Sequence, residues 1–180
     1  MKTKELKLIN KMRKYNVSPS GNENVMLMAK ENSTVIVGSY SIVVFEQSLS
    51  ELDPTRELIS FPEPADFLKE KIKEMFDDDY VAMKLPEVAD IKAGIKSITN
   101  KRNERVLYCF GKDLPWCNAR YLLDIVENLK PTDIYYKNTK SPIMFVTRDR
   151  YDNVVYEAFL LPVSPRVVGT NEKGYYYSSK

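Results

Sequence analysis

Histidine is absent from the 180 residues of this chain. That single absence removes Ser-His-Asp and Cys-His arrangements, histidine general bases and every histidine-containing zinc site. Cysteine is nearly absent too. Cys109 and Cys117 are too few for a four-thiolate zinc site and are not spaced as C-x-x-C, so they read as reduced, packed thiols of a cytosolic protein. No apolar run approaches the roughly 18 residues of a membrane span, and the opening MKTKELKLINKMRKY is too charged for the core of a signal peptide. These features predict a cytoplasmic location with no membrane partner. P-loops, paired-glycine fingerprints and G-x-S-x-G elbows are also missing, which argues against nucleotide-binding and hydrolase chemistry; no cofactor is expected, and an enzyme here would need carboxylates, Lys or Tyr.

What is present describes a globular chain. Hydrophobic residues make up 43% and aromatics 11%, which excludes disorder, and a chain near this length buries roughly 70% of its unfolded surface. Lys plus Arg number 27 against 25 Asp plus Glu, a net charge of +2, so any case for a nucleic-acid partner rests on where the charge sits.

Hydrophobic periodicity predicts an amphipathic helix over Lys4 to Tyr15, with Leu6, Ile9 and Met12 on one face. Three β-type runs follow at about 24–30, 34–38 and 41–46, joined by short turns as an antiparallel meander. Residues 47–56 read as a loop and ELISF (57–61) as a short strand. Asp66 caps a second helix with Leu68, Ile72, Met75 and Phe76 on one face, and residues 86–99 make a third with Val88, Ile91, Ile95 and Ile98. RVLYCF is a strand, GKDLPWC a loop, and Asn118 the N-cap of a fourth helix carrying Leu122, Ile125, Val126 and Leu129. TDIYYKN, PIMFVTRD and NVVYEAFLLPV are three further strands, and residues 167–180 a loose tail.

The run N-A-R-Y-L-L-D-I-V-E-N-L-K from Asn118 to Lys130, followed by three strands ending in Phe159-Leu160-Leu161-Pro162-Val163, resembles the last domain of the bacterial sliding clamp, the β subunit of DNA polymerase III. Val37-Gly38-Ser39-Tyr40-Ser41-Ile42 is similar to that family's T-D-G-x-R-L turn, without its Thr, Asp and Arg. The resemblance implies an α+β fold with helices packed on antiparallel sheets in two repeated halves. Residues 1–166 would then form one clamp-like domain with a helical insertion at about 47–103; two shrunken domains, 1–84 and 85–166, are the alternative.

It further implies a non-enzymatic DNA replication or repair accessory protein. A chain of this length could form a ring only as a homo-oligomer. A monomeric protein-interaction module that keeps the fold without encircling DNA is the other reading.

Lys4, Lys7, Lys11 and Lys14 fall at helical spacing on one face of the first helix, a stripe able to follow phosphates without reading sequence; the plainer reading is a solvated face. The i, i+4 pairs Lys69 with Lys73 and Lys92 with Lys96 could extend it, whereas Asp124 and Glu127 on the fourth helix would repel DNA. The resemblance also places a pocket for polymerase-type peptides at Tyr40, Phe159, Leu161, Pro162 and Val163, for which core packing is the competing account. Asp77-Asp78-Asp79 lacks the separated partner carboxylates of a metal site and reads as a solvated helix end. Tyr175-Tyr176-Tyr177 could stack on bases, or be incidental aromatics of the tail.

Overall fold

The computed structural model describes residues 3–15, 24–56, 58, 61–76, 79–98, 105–164 and 176–179. In chain order the helices are α1 (Lys4–Tyr15), α2 (Leu49–Leu52), α3 (Asp66–Phe76), α4 (Val88–Ile98) and α5 (Ala119–Leu129). The strands are β1 (Met26–Ala29), β2 (Thr34–Val37), β3 (Ser41–Phe45), β4 (Val81–Ala82), β5 (Arg105–Cys109), β6 (Trp116–Asn118), β7 (Asp133–Tyr136), β8 (Ile143–Arg148), β9 (Val154–Leu160) and β10 (Tyr176–Ser179). A seven-stranded sheet runs β1-β2-β3-β9-β8-β7-β4, and a smaller one runs β10-β5-β6.

Two hairpin-linked ribbons, β1-β2-β3 and β7-β8-β9, meet where β3 pairs antiparallel with β9, Ser41 opposite Leu160 and Phe45 opposite Tyr156. Tight turns fix the register. Lys30 N–H donates to the Ser33 carbonyl and Gly38 N–H to the Ser41 carbonyl, leaving Ser39 and Tyr40 at the tip of the β2–β3 hairpin.

Strand parity sorts the apolar side chains onto the two faces. Ile36, Val43, Phe45, Ile143, Phe145, Ala158 and Leu160 pack in the main core with Leu8, Ile9 and Met12 of α1 and Leu122, Ile125 and Leu129 of α5. Val35, Val37, Ile42, Val44 and Phe159 point the other way, against Ile72 of α3, with Leu68, Met75 and Phe76 around it. All five residues of β3 are therefore buried, which is why the four that follow Ser41, IVVF, are apolar without alternation.

The sequence positions the fourth predicted helix closely. Asn118 Oδ1 accepts from Arg120 N–H at 2.9 Å and from Tyr121 N–H at 3.4 Å, satisfying donors at the start of α5. Lys130 ends it in the left-handed region, φ 51°, before Pro131. Asn118→Ala is expected to lower stability by about 1 kcal/mol, read as a shift of the urea midpoint at constant slope.

Other expectations need correction. Trp116–Asn118, read as the end of a loop, is strand β6, because the turn at 110–115 brings it back against β5. The tail is not wholly loose: Tyr176–Ser179 forms β10, with Tyr176 opposite Tyr108 and Ser179 opposite Arg105; Tyr175 lies outside the described residues. The proposed strand at 57–61 is only partly described, and there Leu58 and Phe61 occupy bends. The polar stretch after β3 contains α2, whose Ser48 backbone N–H donates to Glu51 Oε2 at 2.9 Å.

Candidate nucleic-acid interface

α1 and α5 lie next to one another on one face of the large sheet, and α4 flanks α5. Because the apolar stripe of α1 faces the sheet, its lysines face outward or sideways. Lys7 and Lys14 are exposed, Lys4 Nζ sits 4.9 Å from the centroid of the Tyr156 ring, and Lys11 Nζ reaches Asp124 Oδ1 of α5 at 2.5 Å.

Three acids of this layer, Asp124, Glu127 and Glu5, are engaged. Asp124 is mostly buried and paired to Lys11; its Oδ2 has no hydrogen-bond partner. Glu127 Oε1 lies 2.6 Å from Lys92 Nζ of α4, and the hydrogen bond from that lysine holds the carboxyl below its ordinary value. Burial would raise Glu5, but hydrogen bonds led by that of the Tyr156 hydroxyl, 2.5 Å from Oε1, bring it below the ordinary carboxylate range. The two carboxylates expected to repel DNA are thus each neutralised, and Lys7, Lys14, Lys96 and Arg120 remain exposed around them.

Lys69 and Lys73 do not extend this surface. They belong to α3, which lies across the opposite face of the sheet, and Lys69 is taken up by Glu63 at 3.2 Å and Asp66 at 3.5 Å. Periodicity places a lysine on a helix face but cannot say which side of a sheet the helix will cover.

The expected peptide anchors also separate. Phe159 is fully buried under α3, its ring 4.9 Å from Phe76 and nearly perpendicular to it, so it is core and not a surface contact. Tyr40 and Leu161 are adjacent and about 40% exposed, with Leu161 N–H donating to the Tyr40 carbonyl. Pro162 and Val163 are half-buried where the chain runs on to Trp116, whose carbonyl accepts from Val163 N–H.

A shallow cleft between α1, α5 and the start of β3 was not foreseen; its lining includes Lys11, Tyr15, Tyr40, Tyr121 and Asp124. The Tyr121 ring lies 5.2 Å from Tyr40, stacked at 27°, and 4.8 Å from Tyr15, tilted at 56°. Burial and the nearby Asp124 carboxylate push the Tyr15 phenol up to about 12. The available signal was that Tyr15 ends the lysine helix and Tyr121 lies in the first turn of α5, two aromatics at helix ends.

The thiols offer no nucleophile. Cys109 lies opposite Trp116 and Cys117 opposite Tyr108, so the two point to opposite faces of the hairpin, and burial pushes both up. Among the described residues no three carboxylates or thiols gather to hold a metal; Asp77 and Asp78 fall outside them. No helix among those residues is long and apolar enough to cross a membrane.

No protein-family model and no curated protein matches this chain. Among solved structures, it is similar to a crystal structure described as a "Putative DNA polymerase III beta subunit" from Eubacterium rectale, with a TM-score of 0.50 and 13% identity. The fold is clamp-like. The likeness covers 88% of this chain but 64% of the other, so the chain spans less than two thirds of that protein's length. At this identity the similarity is one of fold, a mixed arrangement of helices on antiparallel sheet.

Proposed function

We propose that this chain is a non-enzymatic, sliding-clamp-like accessory protein of DNA replication or repair, resting on duplex backbone through the helix layer. The observation that carries this reading is the α1–α5 pair, laid over the β3–β9 junction with its carboxylates consumed by Lys11 and Lys92. In this reading α1-β1-β2-β3 and α5-β7-β8-β9 are repeated halves of one domain, 1–166, and residues 47–103 are an insertion. Lys4, Lys7, Lys14, Lys92 and Lys96 supply or support the positive face, polymerase-type peptides are further partners, and the site of action is cytoplasmic.

Binding of a labelled duplex, followed by fluorescence anisotropy, tests it. About four phosphate contacts give a slope of log K against log salt near −3.6, with little difference between unrelated sequences. A native protein that ignores duplex DNA at low salt ends the proposal.

One observation favours the second reading, an interaction module that does not encircle DNA. Elements between β3 and β5 occupy both edges of the large sheet: the Pro62 carbonyl accepts from Leu27 N–H on β1, and β4 pairs with β7. Edges covered in this way are poor templates for pairing with another copy. A stable monomer by light scattering that takes a polymerase tail peptide and not DNA favours the module, whereas a closed oligomer on DNA favours the clamp.

A further inference from the structure

The reading above leaves the tyrosine cleft without a role. Tyr121 is flanked by Tyr15 and Tyr40, so the faces still open to solvent belong to those two outer rings, 39% and 40% exposed. Exposed Leu161 borders Tyr40. Three of the large hydrophobic side chains that remain exposed therefore gather at one spot, whereas Tyr151 lies far off in the β8–β9 turn.

The charges around this spot choose among occupants. Lys14 precedes Tyr15 and Arg120 precedes Tyr121, and both are exposed; Lys11 lines the cleft and Arg105 begins β5 with an exposed side chain. The one carboxylate in the lining, Asp124, is already held by Lys11. A cationic ligand would meet a surplus of positive charge. An unpaired nucleotide uses both features, its base stacking on an open tyrosine face and its phosphates meeting the basic rim.

We propose that this cleft binds single-stranded nucleic acid, with an unpaired base stacked on the outer face of Tyr40 and the adjoining phosphates held by Lys14 and Arg120. The inference builds on the nucleic-acid reading of α1 but requires neither a ring nor a duplex. A chain with both surfaces favours DNA in which a duplex passes into a single strand.

The test compares a labelled thymidine oligonucleotide with a duplex of equal length, using native protein, Tyr40→Ala and Tyr40→Trp. Tyr40 sits at a hairpin tip, so both variants are expected to fold, checked by circular dichroism. Tyr40→Ala should weaken the single strand about tenfold and leave the duplex unchanged. Tyr40→Trp should hold the single strand at least as well as native protein, and its indole emission should be quenched at saturation beyond any change from Trp116 in the native chain. Oligonucleotide affinity unaltered by Tyr40→Ala, or indole emission unaltered by oligonucleotide, overturns the proposal. So does finding that an acidic, leucine-rich peptide occupies the cleft while oligonucleotides do not. Single-strand binding that persists where duplex binding is absent would remove the clamp reading and leave this one standing.

Discussion

Phe159→Ala is expected to destabilise the protein by about 3–5 kcal/mol, with the loss concentrated in the packing of α3 on the sheet. The side chain has no solvent exposure and sits on β9 between Ile42 of β3 and Met144 of β8, facing Phe76 at 4.9 Å and Tyr80 at 6.3 Å. Removing a ring from that position leaves a cavity that the sheet cannot close, because β-strand spacing is fixed by the ladder on both sides. Leu161→Ala, two residues along on a side chain that is 39% exposed, should cost roughly 1 kcal/mol or less. Urea denaturation of the two variants separates the cases. Similar midpoints for both would mean that Phe159 is not the core residue described, and would return it to the set of surface anchors that the family resemblance suggested.

Phe159 also shows why part of the site was illegible before folding. The run Phe159-Leu160-Leu161-Pro162-Val163 resembles the closing segment of a clamp, and its residue order was readable. What decides whether Phe159 is a surface or a core group is α3, which comes from residues far away in sequence and covers that face. The strands themselves were legible because β2, β3, β8 and β9 are rich in β-branched and aromatic residues between clear turn signals. β6 was not, since three residues following Leu114-Pro115 give no alternation to detect, and its pairing with β5 is made by the turn. β10 is likewise a product of its partner: Tyr176 and Tyr177 carry strand propensity, but only the β5 edge turns it into a strand.

Lysine spacing had a similar limit. The four lysines of α1 are equivalent in sequence, yet α5 makes them unequal: Asp124 takes Lys11, while Lys7 and Lys14 stay in solvent. The same helix pairing reverses the expected role of Asp124 and Glu127. Read on α5 alone they oppose DNA; beside α1 and α4 each is paired with a lysine ammonium group of a neighbouring helix. An exposed pair such as Lys92 with Glu127 adds little stability, so its main consequence is to cancel a negative charge at the surface.

That inequality yields the last expected result. Lys7→Glu combined with Lys14→Glu should weaken duplex binding at least tenfold at low salt and make the log K against log salt slope shallower by about 1.8, the contribution of two phosphate contacts. Both side chains are exposed and neither has an ion-pair partner among the described residues, so the melting temperature should hardly move. Lys11→Glu should behave differently. It sets a carboxylate against Asp124, whose Oδ2 already lacks a partner, so stability falls as well as binding, by less than for a fully buried pair because Lys11 keeps 38% of its side-chain exposure. Measured together, the variants distinguish a contact surface from a structural strut. Should Lys7→Glu with Lys14→Glu leave both affinity and slope at native values while Lys11→Glu abolishes binding only by unfolding the chain, the α1 stripe is a solvated helix face and the duplex must be sought elsewhere or not at all.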